Sequence, residues 1–191
     1  PSSLVGSEMC IRDSNKTYLF ERAKETLGLL YADHFPFRQY ASARGIRRSA
    51  IHQNLLERGA CFGEVAGWER ANWFLPADLV SEGNTPEYKY SWGRQNWFDF
   101  AAQEHLAVRQ KAGFFDMSSF AKFRLEGKDA QAVLQRIMAN DVDVEPGRVI
   151  YGQWLNNSGG IEADLTVTRL TETVFLIVTS AASATRDLAW L

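Results

Sequence analysis

The chain has 191 residues, of which 46% are hydrophobic and 23% are charged, and its formal net charge is -2. These values are typical of a folded, core-forming protein with room for one large domain or one and a half small ones. The near-neutral charge gives no electrostatic reason to expect nucleic acid or an anionic membrane as a partner, and no apolar run approaches the roughly 20 residues that span a bilayer. The two cysteines, Cys10 and Cys61, have neither disulfide-framework nor metal-ligand spacing, which fits a reducing compartment.

The first residues resemble a translated sequencing adapter. Leu4 to Ser14 reads L-V-G-S-E-M-C-I-R-D-S, so we expect residues 1–14 to be non-native and unpacked, and the native sequence to begin near Asn15 in mid-gene. The other end, Ala181 to Leu191, reads as a helix with no stop signal. Both ends therefore predict a fragment of a longer protein.

The first half of the chain predicts two helices, a strand-turn region and a linker. Apolar spacing favours a helix from Thr17 to Ala32, and Ser49 is expected to cap a second helix that runs to Arg58. Residues 61–70 predict a strand and a turn. The polar stretch from Pro76 to Tyr88 is the best linker candidate.

The second half predicts an α+β domain from about Phe98 onward. The pattern indicates a helix, a strand, a helix, a hairpin, another strand and a final helix. These elements fall at residues 99–112, 114–125, 128–139, 149–155 with 161–170, 174–179 and 181–191.

The hairpin contains the most informative polar residues. Ile161 to Thr168 alternates apolar and polar side chains, so the polar set, which includes Asp164, faces water or a polar cavity. If the turn is centred between Asn157 and Ser158, Tyr151 lies directly opposite Asp164 on the same face. A loop longer by one residue would break this pairing. A tyrosine and an aspartate in such a pattern are either a functional pair or surface decoration.

Other polar groups predict structure more than chemistry. The histidines (His34, His52 and His105) have no metal-ligand spacing, and no metal site is predicted. Arg44, Arg47 and Arg48 form either a carboxylate or phosphate grip or, more in keeping with the pattern, a solvated basic turn or an ion pair. Trp68, Glu69 and Arg70 are expected to form a structural plug, with Trp68 largely buried and Glu69 or Arg70 in charge-assisted hydrogen bonds.

Several motifs together resemble the dimethylglycine and sarcosine dehydrogenase family. They are R-G-I-R-R-S-A-I-H-Q-N-L, G-A-C-F-G-E, G-W-E-R-A-N-W-F, F-D-M-S-S-F-A-K-F, A-N-D-V-D-V-E-P-G-R and G-G-I-E-A-D-L-T-V-T-R-L. The resemblance covers nearly everything from Asn15 onward. It implies a small central domain of an FAD-dependent oxidoreductase at residues 15–80. It further implies, at residues 81–191, the first part of a folate-binding domain similar to the glycine-cleavage T-protein, with an antiparallel sheet and flanking helices.

The resemblance also implies a reaction and three site residues. In the family, a flavin domain oxidises an N-methyl amine, and the one-carbon unit passes to tetrahydrofolate to give 5,10-methylenetetrahydrofolate. The motif positions transfer the catalytic aspartate to Asp164, the folate-binding tyrosine to Tyr151 and an apolar pterin wall to Phe120. The T-protein has a second aspartate where this chain has Ala163, so folate contacts can differ. FAD and the remaining walls of the folate pocket are expected outside this chain.

Two functions follow as alternatives. The first is a flavin-dependent N-methylglycine oxidoreductase, with this fragment inactive by itself. In it, Tyr151 and Asp164 line a cavity, which we expect to be open on one side in this fragment because its other walls come from sequence beyond Leu191. The second is a non-catalytic folate-binding or regulatory module with the same domain order. A bacterial protein would be cytoplasmic and a eukaryotic one would be in the mitochondrial matrix. The expected partners are a small N-methyl amine and folate, without nucleic acid or membrane.

Overall fold

The structure is a computed structural model that describes residues 16–33 and 38–191. The expected adapter segment and His34 lie outside the described residues. The chain divides into two compact units, one ending at Ser119 and the other comprising Phe120–Leu191. Across the described parts of the chain, no helix combines the length and the apolar character needed to cross a membrane.

The N-terminal unit is built around one β-hairpin. Its elements in chain order are α1 (Lys16–Gly28), α2 (His52–Glu57), β1 (Ala60–Val65), β2 (Trp68–Phe74), α3 (Ala77–Ser81) and α4 (Phe98–Gln110). Strands β1 and β2 pair antiparallel, and the tight turn between them uses positive φ angles at Ala66 and Gly67. Helix α1 is held to this hairpin by the Arg22–Glu64 ion pair, with Nη1 and Oε2 2.5 Å apart.

Two predictions about this unit are wrong in detail. Ile51, not Ser49, is the N-cap of α2, and Ser49 contributes only its carbonyl, which accepts from the His52 amide at 3.1 Å. The predicted linker begins with helix α3, whose apolar residues Leu79 and Val80 pack against a core around Trp73. The polar residues around Leu79 and Val80 hid this packing from the sequence prediction.

The C-terminal unit is a four-stranded antiparallel sheet with helices. Its elements are β3 (Ala121–Glu126), α5 (Ala130–Ile137), β4 (Val149–Leu155), β5 (Ile161–Thr171), β6 (Val174–Thr179), a 3₁₀ turn (Ala181–Ser183) and α6 (Ala184–Trp190). The strand order is β3-β6-β5-β4, with every neighbouring pair antiparallel. This architecture confirms the α+β prediction, although the single helix predicted at the end is a 3₁₀ turn followed by α6.

The core of this unit lies on one face of the sheet. Alternate residues of β4, β5 and β6 point inward with residues of α5 and of the segment after it. The buried set is Ala130, Leu134, Met138, Val142, Ile150, Trp154, Ala163, Leu165, Val167, Phe175 and Ile177. The period of two along each strand sends the intervening side chains to the other face. Tyr151 and Asp164 are on that second face because their neighbours fill the core.

Gly152 lets a chain segment approach the edge of this core closely. A Cβ atom at this position would lie 3.0 Å from Met138 Cε and 3.2 Å from Asn140 Cβ. We expect Gly152→Ala to lower the free energy of unfolding by about 1–2 kcal/mol, because the added methyl group overpacks the contact. Urea unfolding of the 191-residue chain measures this change. Unaltered stability would mean that the segment at Asn140 moves freely away from β4.

Candidate functional site

Tyr151 and Asp164 lie on adjacent antiparallel strands and on the same face of the sheet, as predicted. The predicted register is nevertheless wrong by two residues. Tyr151 is directly opposite Thr166, and the residue directly opposite Asp164 is Gln153. Tyr151 and Asp164 are therefore diagonal neighbours, still within reach of a long aromatic side chain.

The loop of the hairpin accounts for part of this difference. It contains five residues between Leu155 and Ile161, whereas the prediction assumed a turn centred one half-residue earlier. Asn156 closes the loop: its Oδ1 accepts from the backbone amides of Ser158, at 3.0 Å, and Gly160, at 2.9 Å. An asparagine side chain that accepts from backbone amides in this way specifies a longer turn than the one assumed in the prediction.

A β-bulge accounts for the rest. On β5 an extra residue, Glu162, is inserted between the partners of Trp154 and Leu155. The loop alone shifts the register by one residue, which would place Tyr151 and Asp164 on opposite faces. The bulge shifts the register by a second residue, which returns Tyr151 and Asp164 to the same face. The two side chains share a face because of the bulge.

The face that carries the pair is open. Tyr151 is 59% exposed, and Asp164 is also exposed. The expectation that both side chains line a cavity, with its remaining walls outside this chain, is not tested by residues 16–33 and 38–191 and stays a prediction. The surface is a platform rather than an enclosed pocket.

Gln153 joins the two predicted residues. Its Nε2 donates to Asp164 Oδ1 at 3.2 Å and to Tyr151 Oη at 3.3 Å. Hydrogen bonding to Asp164 and the charge of that carboxylate raise the pKa of the Tyr151 phenol, and the bond from Gln153 acts in the opposite direction. The sequence prediction missed Gln153 because it assumed that Tyr151 itself was paired with Asp164.

The strand below this group is pinned at its edge. The Ala139 amide donates to the Gln153 carbonyl at 2.8 Å, and Asn140 Nδ2 donates to the Tyr151 carbonyl at 3.0 Å. These bonds satisfy backbone groups that β4, an edge strand, would otherwise present to solvent. Ala139 and Asn140 belong to the A-N-D-V motif of the sequence, but the motif does not show which strand they contact.

Phe120 immediately precedes β3, two strands away from β5. Extending the β3–β6 register by one residue and the β5–β6 register by two places Phe120 and Asp164 on either side of Ser180, in one row across the sheet. The row spacing puts their Cα atoms about 10 Å apart, on the same face. Phe120 is half-buried, so its assignment as a pterin wall stays a prediction.

The expected structural plug is an ion pair in the N-terminal unit. Glu69 is 6% exposed and accepts from Arg44 Nε at 2.8 Å, from Arg44 Nη2 at 2.5 Å and from the Gly45 amide at 2.6 Å. The prediction is confirmed for Glu69, and Trp68 is partly buried, with the Arg47 guanidinium 5.9 Å from the centroid of its ring. Arg44 grips a carboxylate of its own chain.

Comparison with known families decides the class of the domain. The model of the family described as "GCVT N-terminal domain" matches residues 51–191, which is more than half of the chain. The chain belongs to this family. Residues 12–49 match a second family, described as "FAD dependent oxidoreductase central domain".

A solved structure agrees with the GCVT assignment. The glycine cleavage system aminomethyltransferase T from Bartonella henselae superposes with a TM-score of 0.59 at 27% identity, over 76% of this chain and 34% of that chain. The resemblance stated from the motifs and the T-protein-like fold are thus confirmed.

The curated relatives are much longer than this chain. A 4-methylaminobutanoate oxidase (formaldehyde-forming) from Paenarthrobacter nicotinovorans is 46% identical over 93% of this chain and 21% of its own length. The mitochondrial sarcosine dehydrogenase of Mus musculus is 35% identical over 80% of this chain and 19% of its own length. A mitochondrial pyruvate dehydrogenase phosphatase regulatory subunit from Mus musculus is 31% identical over 93% of this chain and 20% of its own length. The chain therefore spans about a fifth of these relatives.

Proposed function

We propose that this chain is part of a flavin-dependent oxidoreductase of N-methyl amino acids, and that its GCVT domain binds tetrahydrofolate at Tyr151 and Asp164. The observation that carries the proposal is the hydrogen-bonded group of Tyr151, Gln153 and Asp164 on the open face of a GCVT-family sheet. In this proposal residues 15–80 belong to the oxidoreductase central domain and residues 81–191 to the folate-binding domain, which places the boundary later than residue 51, where the GCVT match begins.

The chemistry of the group suits a folate. A carboxylate accepts hydrogen bonds from the N–H groups of a pterin, and it stabilises positive charge on the folate amine as the new C–N bond forms. Asp164 supplies the carboxylate, and the Tyr151 ring, 59% exposed, offers an apolar surface beside it. Phe120, in the same row as Asp164, would add a second aromatic wall. No cluster of metal ligands occurs among residues 16–33 and 38–191.

The names of the relatives suggest the class of amine. 4-Methylaminobutanoate and sarcosine both carry a secondary N-methyl amine and a carboxylate, and they differ in the length between them. We propose a small N-methyl amino acid as substrate and FAD, held outside this chain, as the oxidant. The resulting one-carbon unit would leave as 5,10-methylenetetrahydrofolate, in the cytoplasm of a bacterium or the mitochondrial matrix of a eukaryote.

A second candidate function is a regulatory module without oxidase activity. The relative named as a regulatory subunit of pyruvate dehydrogenase phosphatase matches 93% of this chain, so the same domain occurs under a non-catalytic name. In such a protein, Tyr151 and Asp164 would bind folate without transfer, or would not bind it. Amine oxidation by the full-length protein distinguishes the two candidates.

The experiment uses the full-length protein with FAD, an N-methyl amino acid and tetrahydrofolate. Without tetrahydrofolate, oxidation is expected to release formaldehyde; with it, the same turnover should produce 5,10-methylenetetrahydrofolate. Colorimetric formaldehyde detection and chromatography of the folates measure both products. Oxidation that releases as much formaldehyde with tetrahydrofolate as without would contradict the folate role, and an absence of oxidation with all tested amines would favour the regulatory module.

A further inference from the structure

We propose that Gln153 is a positioning residue of this site, holding the Tyr151 phenol and the Asp164 carboxylate in one arrangement before a ligand arrives. The inference rests on the proposed folate function for its consequence. The arrangement itself can be tested without a folate. Neither the family resemblance nor the motif positions assign a role to Gln153.

The strand register makes Gln153 the residue that adjoins both partners. It lies directly opposite Asp164 across the β4–β5 pair, and it follows Tyr151 by two residues on β4, so all three side chains share a face. Directly opposed residues have Cβ atoms about 4.5–5.5 Å apart, and diagonal ones are farther. A side chain of glutamine length is therefore suited to bridge the diagonal between Tyr151 and Asp164.

The amide can bridge them in only one orientation. Its Nε2 carries two N–H donors, and the two acceptors within reach are Asp164 Oδ1 at 3.2 Å and Tyr151 Oη at 3.3 Å. In the reversed orientation, the amide oxygen, which only accepts hydrogen bonds, would face the negative carboxylate. One planar group thus contacts both side chains, which are themselves hydrogen-bonded to each other.

The backbone that carries Gln153 is itself held in place. The Gln153 carbonyl accepts from the Ala139 amide at 2.8 Å, and the carbonyl of Tyr151 accepts from Asn140 Nδ2 at 3.0 Å. Sites built on strands with supported side chains keep their geometry better than sites on loops. The bridge therefore begins from a fixed strand and ends on a second strand of the same sheet.

Pre-arrangement affects affinity through entropy. An exposed aspartate samples several rotamers, and each side chain immobilised on binding costs about 0.5–1.5 kcal/mol. If Gln153 has already restricted Asp164, a folate does not bear that cost. Loss of the bridge should therefore weaken tetrahydrofolate binding by roughly two- to tenfold, since 1.4 kcal/mol corresponds to tenfold.

The first measurement concerns the phenol in the 191-residue chain and needs no folate. Gln153→Met keeps the length of the side chain and removes both donors, whereas Asp164→Asn removes the negative charge. Because Asp164 raises the pKa of Tyr151 and the Gln153 donor lowers it, we expect Gln153→Met to raise that pKa further and Asp164→Asn to lower it. ¹³C-tyrosine NMR titration, with the Tyr151 signal assigned by Tyr151→Phe, measures both shifts.

The second measurement is tetrahydrofolate affinity in the full-length protein. We expect Gln153→Met to weaken binding, with amine oxidation retained. Thr168→Val is the matched control, because Thr168 lies on the same face of β5, opposite Val149, two residues beyond the partner of Tyr151. It should change neither the Tyr151 titration nor the affinity.

The outcomes separate the inference from the function on which it rests. A Tyr151 pKa that does not rise in Gln153→Met overturns the bridge, whatever the affinity for tetrahydrofolate. A pKa that rises with unchanged affinity overturns the positioning role. If neither Asp164→Ala nor Gln153→Met affects tetrahydrofolate while the pKa shifts appear as expected, the proposed folate function fails and the bridge stands as a structural feature only. The opposite pKa shifts together with the graded loss of affinity support the proposal.

Discussion

Replacing Asp164 with alanine in the full-length protein is expected to weaken tetrahydrofolate binding by about 10- to 100-fold and to leave amine oxidation largely intact. A hydrogen bond to a charged group contributes about 1.5–3 kcal/mol, and 1.4 kcal/mol corresponds to a factor of ten. Asp164 is exposed and lies on the outer face of the sheet, so its removal creates no cavity in the core. The measurement is tetrahydrofolate affinity, with the rate of methylenetetrahydrofolate formation.

Two further variants divide this effect into its parts. Asp164→Asn keeps the size of the side chain and removes its charge, so a loss close to that of Asp164→Ala would assign the effect to charge. Thr168→Val, on the same strand and the same face, should bind tetrahydrofolate as the unmodified protein does. Wild-type affinity and wild-type product formation in Asp164→Ala would make the assignment of Asp164 wrong.

Replacing Arg44 with methionine is expected to lower the free energy of unfolding by about 3 kcal/mol at neutral pH. The change leaves the Glu69 carboxylate, whose side chain is 3% exposed, without its cation. Breaking a buried ion pair from one side costs about 3–5 kcal/mol, and the value falls at the lower end because the Arg44 side chain is 30% exposed. Arg44 also donates to the carbonyls of Phe62 and Tyr40, at 3.0 and 3.2 Å, so three chain segments lose a contact.

The loss of stability in Arg44→Met should become smaller as the pH falls. Burial alone would raise the pKa of Glu69, but hydrogen bonds from Arg44 and Gly45 and the charge of Arg44 lower it below its usual 4.5. The contribution of the pair is therefore complete above pH 4.5 and is lost as the pH falls below that value. In Arg44→Met, burial acts unopposed and the pKa of Glu69 rises. Acid then neutralises the carboxylate, which narrows the difference in the free energy of unfolding between the variant and the unmodified chain.

Urea unfolding of the 191-residue chain from pH 7 to pH 4 measures this difference. Arg48→Met is the matched control: Arg48 is exposed and lies four residues away in the same basic segment, so the change should stay within about 0.5 kcal/mol. A difference between Arg44→Met and the unmodified chain that stays constant over this pH range would mean that the loss arises from packing and not from the charge of Glu69.

Much of the fold and part of the site were predictable because the signals are local. Residues 149–155 and 174–179 were predicted as strands with the bounds that β4 and β6 have, since alternating side chains and turn residues delimit them. The shared face of Tyr151 and Asp164 was also predicted, but for an incomplete reason. The assumed turn placed the two side chains on the same face correctly only because the bulge at Glu162 compensates for the longer loop.

The rest of the site depends on contacts between distant segments. Gln153 acquires its role from Asp164, eleven residues later, and Arg44 pairs with Glu69, twenty-five residues later. Such partners leave no periodic signal, because each depends on how strands and loops pack. The openness of the platform likewise depends on the tertiary arrangement, and the cavity expected there, with further walls outside this chain, stays a prediction.

The sequence by itself determined the α+β class, the order of the elements and the family, and it singled out Tyr151 and Asp164, at which we propose the folate site. The spacing of apolar residues and the preferences of turn residues act within a few residues, so they can be recognised without knowledge of the partner strand. Only the tertiary structure decided the register, the bridge through Gln153 and the ion pair that secures Arg44. The β4–β5 register depends on the number of residues in the loop and in the bulge, and the side-chain hydrogen-bond partners depend on that register. A single inserted residue at Glu162 therefore determines which side chains meet.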